Sequence, residues 1–240
     1  MVSRVLQMQR RRILNLIYKA IIRLKLNRLT FTFNYLVNIW GDSESRSGEG
    51  STLHYTEHVI SELPKLIKQL GIRSVLDIPC GDLFWMKEIL KKNNLNLEYA
   101  GVDIVASLIK KNNKKYSSDK INFYRENAID YKYGGYDLVL VRDFFFHISF
   151  KDMNRFLENF LQSGSKYLLT SSYVKSEENF DILNGDFREI NILKPPFYFP
   201  YQEIKIRDYV FPYPERYLYL YERNEVDKAY KQQLSEGVQH

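Results

Sequence analysis

The run from Ser74 to Asp82, Ser-Val-Leu-Asp-Ile-Pro-Cys-Gly-Asp, constrains the fold more than any other part of the chain. Val75, Leu76 and Ile78 make a short apolar strand, Gly71 closes the helix ahead of it, and Leu83, Phe84, Trp85 and Met86 open a helical apolar face. A buried strand that breaks into a tight turn before a new helix is where an open α/β sheet holds a nucleotide. Gly81 lets a ligand approach the backbone there. A second strand, Leu97 to Val102, ends in Asp103. That acid lies roughly 20 residues past the glycine turn, the spacing at which a carboxylate reaches ribose hydroxyls.

The remaining pattern extends this unit. Strands are expected over 73–78, 97–102, 121–124, 137–142 and 166–171, and helices over 57–70, capped by Thr56 and broken at Pro64, then 84–92, 105–115 and 150–162. After a long loop come two more strands near 203–210 and 216–222. Alternating strands and helices imply a parallel sheet with right-handed crossovers. No helix fits between Val210 and Arg216, where Pro212 and Pro214 make a turn, so the last pair is expected to be an antiparallel hairpin. The fold class is therefore α/β: a Rossmann-like, mostly parallel, seven-stranded sheet with a C-terminal antiparallel hairpin, helices on both faces, and a basic amphipathic helix at the N-terminus.

Composition fits one globular domain with a sizeable core. Cys80 is the only cysteine, so no intrachain disulfide can form and a reducing, cytoplasmic compartment is the plain expectation. No apolar run approaches the ~20 residues needed to span a bilayer, and no secretory signal is evident. The net charge of +6 is concentrated in the leader: eight basic residues from Arg4 to Arg28 precede the first acid, Asp42, and the rest of the chain is slightly acidic. Nucleic acid is thus disfavoured as a substrate. The leader interleaves its charges with Ile13, Leu14, Ile17, Ile21, Ile22 and Leu24. That pattern suits peripheral contact of residues 4–28 with the inner face of an anionic membrane, packing on the domain or a partner, or a transit peptide. The expected organisation is a leader at 1–40, a Ser/Gly-rich lid or linker at 41–56, the main domain at 57–224 and a polar tail at 225–240. Oligomeric state is not legible.

Asp77, Pro79, Gly81 and Leu83 occupy the acid and the three glycine positions of a motif, and here the chain resembles the class I, Rossmann-like S-adenosylmethionine-dependent methyltransferases. Only the central glycine is kept. A pyrophosphate cradle would miss the other two, whereas adenosylmethionine carries no phosphate. The resemblance runs from about Leu53 to Arg223. It implies S-adenosylmethionine as cofactor, with Asp77, Pro79, Cys80, Gly81, Asp103, Ile104, Asn127, Ala128 and Arg142 as the residues that bind it. The stretch from Trp40 to Ser51 with the Pro-Cys-Gly-Asp turn, and the segment from Asn184 to Pro200, also resemble a bacterial subgroup linked to surface-polysaccharide clusters. That resemblance implies a small-molecule or glycan acceptor.

Methyl transfer is a direct displacement, so positioning supplies much of the catalysis. A hydroxyl acceptor needs a base. His147 is the candidate, because it follows the fourth strand at the open end of the sheet, with Asp143 to orient its ring or face the sulfonium; the alternative is a histidine packed against Phe144 to Phe146. A phosphate or phosphoramidate acceptor needs no base, and Arg46, Ser47 and Arg188 would then bind it; solvated surface arginines are the plainer reading. His54 and His58 lack a third ligand in register, so no metal is expected. Lys194 to Phe197 resembles the motif of amino-group methylating enzymes but follows the wrong strand. The rival functions are a catalytically silent nucleotide-binding scaffold and an NAD-dependent oxidoreductase, the latter disfavoured by Pro79 and Leu83.

Overall fold

The computed structural model describes residues 18–20, 22, 27–38, 44–91 and 95–236. Seven strands form one sheet: β1 (Ser74–Asp77), β2 (Glu98–Asp103), β3 (Ile121–Arg125), β4 (Leu138–Val141), β5 (Tyr167–Tyr173), β6 (Lys205–Arg207) and β7 (Arg216–Glu222). Their order is β3-β2-β1-β4-β5-β7-β6. β1 to β5 are mutually parallel, and β7 lies antiparallel between β5 and β6. The expected α/β class and closing hairpin are both present. The order of the strands reverses between β1 and β4, so a crevice opens at their carboxyl ends.

The helices are α1 (Asn27–Leu36), α2 (Leu53–Gln69), α3 (Met86–Leu90), α4 (Ala106–Tyr116), α5 (Phe150–Ser163) and α6 (Arg223–Ser235). Alternation along the central strands feeds a core on each face. Leu138 and Leu140 of β4 join Val75, Val59, Leu63, Ile89 and Leu108 on one side. Val139 and Val141 join Leu76, Phe156, Leu157, Phe160 and Val226 on the other. Two-sided burial is why these strands read as unbroken apolar runs.

Several elements differ from the sequence reading, among them the strand expected near 203–210, which is confined to Lys205–Arg207. Helix α2 begins at Leu53 because Thr52, not Thr56, is its cap: the Thr52 hydroxyl accepts from the backbone N–H of Tyr55 at 3.3 Å, while Thr56 donates to the Thr52 carbonyl at 2.6 Å. The helix also runs through Pro64, which is buried inside it. Helix α3 is only five residues long, since Leu83 adopts φ +60° and the chain turns once more before Met86. The polar tail expected at 225–240 is instead helix α6 as far as Ser235. A capping box between Glu222 and Glu225 starts it, and Val226, Ala229, Tyr230 and Gln233 are buried at helical spacing.

Residues 1–17, 21, 23–26 and 39–40 of the basic leader lie outside the described residues, so its expected membrane contact does too. The part described packs on the domain, with Tyr35 buried in the core and Phe31 against it. No helix among the described residues is long and apolar enough to cross a membrane.

Candidate active site

The turn after β1 is tied down on three sides. The Cys80 N–H donates to the Val102 carbonyl at 2.8 Å, the Gly81 N–H to Asp103 Oδ2 at 3.2 Å, and Asn112 Nδ2 to the Gly81 carbonyl at 3.0 Å. Asp103 also accepts from the N–H of Val105 through Oδ1 at 3.0 Å. Gly81 sits at φ +56°, the conformation that glycine adopts at no steric cost. Burial pushes the Asp103 carboxyl up to about 6 despite these bonds, and pushes Asp77 up to about 7 against the 2.6 Å hydrogen bond from the Tyr99 hydroxyl. The Cys80 thiol is raised by burial as well.

The Ser/Gly segment closes over this turn. Ser45 Oγ donates to the Asp82 carboxylate at 3.0 Å, the Arg46 N–H does so at 3.1 Å, and the Asp82 N–H donates to Ser47 Oγ at 3.0 Å. A cavity of about 360 Å³ lies beneath, beyond the carboxyl ends of β1, β2 and β4. Asp77, Pro79, Cys80, Gly81, Asp103, Ile104, Asn127 and Ala128 line one half, with Leu108 and Val105. His147, Asp143 and Arg142 line the other half, with Tyr55, Tyr173 and Arg216.

A closed ring of four charges stands at the wall of that second half. Arg142 Nη2 lies 2.7 Å from Asp208 Oδ1, Asp208 Oδ2 3.0 Å from Arg216 Nη2, Arg216 Nη1 2.5 Å from Asp143 Oδ1, and Asp143 Oδ2 3.2 Å from Arg142 Nη1. Arg142 Nη2 also donates to the Gly50 carbonyl at 2.6 Å, which fastens the Ser/Gly segment to the ring. The Arg216 guanidinium lies over the rings of Tyr55, Phe146 and Tyr173. The two arginines hold the Asp143 carboxyl below its usual range, whereas desolvation raises Asp208.

His147 ends a short 3-10 turn, Phe145–His147, after β4. Its Nδ1 is 2.9 Å from the carbonyl of Asp186. A carbonyl only accepts, so Nδ1 carries the proton and Nε2 the lone pair. Burial holds the imidazole below its ordinary pKa, so it is neutral at pH 7.

Two of the expected acceptor residues are placed elsewhere. Arg188 is 1 % exposed, donates to the Ile148 carbonyl at 2.7 Å and lies over the Phe150 ring, so it braces the fold rather than reaching for an anion. Arg46 is exposed and outside the cavity lining, while its neighbour Ser47 lines it. The sequence reading missed Tyr55, Tyr173, Asp208 and Arg216. Among the described residues, no group of three His, Cys, Asp or Glu side chains is placed to hold a metal.

The first half of the cavity offers two buried carboxyl groups, a glycine turn and apolar walls, and among the described residues no cation lines it that is suited to a pyrophosphate. That donor set fits a nucleoside carrying hydroxyls and a positive charge. The fold is Rossmann-like, and the cradle suits the cofactor of an S-adenosylmethionine-dependent methyltransferase. Residues 76–163 match a family model described as a methyltransferase domain. No curated protein gives a significant match.

Solved structures share the fold at low identity. Magnesium protoporphyrin IX methyltransferase from Synechocystis PCC 6803, with bound cofactor, is 15% identical at a TM-score of 0.53, over 86% of this chain and 97% of that one. The methyltransferase domain of a bacterial Hen1 is 13% identical at 0.51, over 70% of this chain and 99% of that one. The mitomycin 7-O-methyltransferase is 14% identical at 0.51, over 68% of this chain. The present chain spans about half, 53%, of that longer enzyme.

Proposed function

We propose that this enzyme methylates a hydroxyl of a small, neutral, polar acceptor, a saccharide unit of a surface polysaccharide, with His147 as the base. The observation that carries this reading is the fixed imidazole: a neutral ring at the cavity wall, with its Nδ1 proton committed to the Asp186 carbonyl. When bound, S-adenosylmethionine supplies the electrophilic methyl group. Asp103 would accept hydrogen bonds from its ribose hydroxyls, Ile104, Asn127 and Ala128 would hold its adenine, and Gly81 would let it lie against the turn. Asp77, Pro79, Cys80 and Arg142 complete that wall. His147 Nε2 takes the proton from the acceptor hydroxyl as the methyl arrives. Tyr55 and Tyr173 offer ring faces to the acceptor, and Asp143 accepts from its other hydroxyls.

The anionic alternative, a phosphate or phosphoramidate oxygen, loses its support with its cations. Arg188 is buried away from the cavity, and Arg142 and Arg216 are each neutralised by Asp143 and Asp208. The test is titration with S-adenosylhomocysteine, with NAD as control, followed by labelled-methyl transfer to neutral glycosides and to their phosphorylated counterparts. Binding of S-adenosylhomocysteine alone with turnover of neutral glycosides is the expected result. Turnover of the phosphorylated set alone would overturn the acceptor, and binding without turnover of either would favour a silent scaffold.

A further inference from the structure

The base proposed above belongs to a short segment that a second loop grips on all sides. The Gly185 N–H donates to the His147 carbonyl at 2.7 Å and the Arg188 N–H to the Phe146 carbonyl at 3.0 Å. The Ser149 N–H donates to Asn184 Oδ1 at 2.7 Å, Arg188 Nη1 to the Ile148 carbonyl at 2.7 Å, and the Asp186 carbonyl meets the imidazole itself. Residues 184–188 therefore set both the height and the tautomer of His147, and the same loop brings Phe187 to the cavity wall.

That loop is in turn held by the N-terminal segment. The Tyr18 hydroxyl donates to the Gly185 carbonyl, and Asn184 Nδ2 donates to Asn27 Oδ1 at 2.7 Å. Gly185 has φ +102°, and a Cβ there would lie 2.4 Å from Thr30 Cγ2 and 3.2 Å from the Tyr18 hydroxyl oxygen, so the helix seats directly on the loop backbone. Helix α1 also places Phe31 and Tyr35 in the cavity wall.

We infer that the N-terminal segment is a latch: Tyr18, Asn27 and Thr30 act as positioning residues that hold the 184–188 loop against His147 and so fix the proton on Nδ1. This rests on His147 being the base, but the latch has a signature of its own. A hydrogen-bonded partner on one ring nitrogen selects the tautomer, and a loosened loop releases that choice. Asp143, Arg188 and Arg216 are the charged groups that face the ring, and none of them is altered by changes at Tyr18 or Asn27.

The experiment compares wild type with the double variant Tyr18→Phe/Asn27→Ala, which removes the two hydrogen bonds from partly buried positions. Histidine-labelled protein, with the His147 signals assigned by the His147→Asn variant, reports the ring tautomer by nitrogen chemical shifts, and turnover and S-adenosylhomocysteine affinity are measured in parallel. The latch predicts cofactor affinity within about twofold of wild type, turnover lower by about tenfold, and His147 signals shifted from a single Nδ1-protonated form toward an averaged pair. Wild-type His147 signals in the double variant would overturn the latch, whatever turnover does. A shifted tautomer with unchanged turnover would support the latch and overturn His147 as base.

Discussion

The hydroxyl of Ser47 accepts from the backbone N–H of Asp82 at 3.0 Å and stands where a side chain at Gly81 would have to go. A Cβ on Gly81 would lie 2.7 Å from Ser47 Oγ, at a backbone φ of +56° that other residues adopt only with strain. The cradle and its cover are therefore fitted to each other at a single atom's tolerance.

Gly81→Ala is expected to weaken S-adenosylhomocysteine binding by about 1–3 kcal/mol, because both the turn and the cover must shift. Calorimetric titration checks this, and pairing the change with Ser47→Gly should recover part of the loss. No recovery would assign the whole effect to backbone strain.

Asp103→Ala should weaken the same ligand by about 1–3 kcal/mol if that carboxylate holds the ribose. The variant also frees the N–H groups of Gly81 and Val105, so its melting temperature is measured alongside. Unchanged affinity in a folded variant would remove Asp103 from the ribose.

His147→Asn should lower kcat by about 10²- to 10⁴-fold with little change in cofactor affinity. Burial depresses the imidazole pKa, so the ring stays unprotonated through neutral pH, and if His147 is the base wild-type activity should fall only below the ordinary imidazole range. The same depression means that the unfolded chain binds the proton more readily than the folded one, so this group costs stability as pH falls below about 6.5. A pH–rate profile whose acid limb survives in the variant would assign that limb to another group.

Asp208→Asn takes one carboxylate from the ring and leaves Arg142 and Arg216 sharing Asp143. Breaking a buried ion pair in this way should destabilise the fold by about 3–5 kcal/mol. Urea unfolding measures it, and a loss under about 1 kcal/mol would show that the ring is dispensable.

Asp77→Asn probes the other buried acid. The folded-state carboxyl is raised to about 7, against about 3.9 in an unfolded chain, so between those values the folded protein holds the extra proton. Wild-type stability should therefore decline as pH rises through that window, and the variant should remove that part of the slope. Unfolding free energies at several pH values test this, and identical slopes would place the Asp77 pKa near its ordinary value.

The central sheet was legible because its strands are buried on both faces: Leu138–Val141 and Val75–Leu76 are apolar without interruption. The Asp77, Gly81, Asp103 spacing was legible for the same reason, since each residue ends or follows such a strand. Helix α3 was overread because Leu83 and Trp85 are buried without being helical, and periodicity reports burial before conformation. The tail was underread because its charges mask Val226, Ala229 and Tyr230. The charge ring gave no signal at all: Arg142 and Asp208 lie 66 residues apart and meet only when the hairpin docks. Arg188 misled for the converse reason, as a loop arginine whose burial depends on Phe150 and Ile148 folding over it.

The ring also imposes an order of assembly. Its members follow β4, follow β6 and open β7, and β7 slots between strands made before it. A chain leaving the ribosome N-terminus first completes the nucleoside half of the cavity while Arg142 and Asp143 have only each other as ring partners. Asp208 and Arg216 arrive last, and with them the charge balance of the cavity wall. A chain that stops short of the hairpin therefore lacks half of the ring, and with it Tyr219, Tyr221 and Val226 from the core.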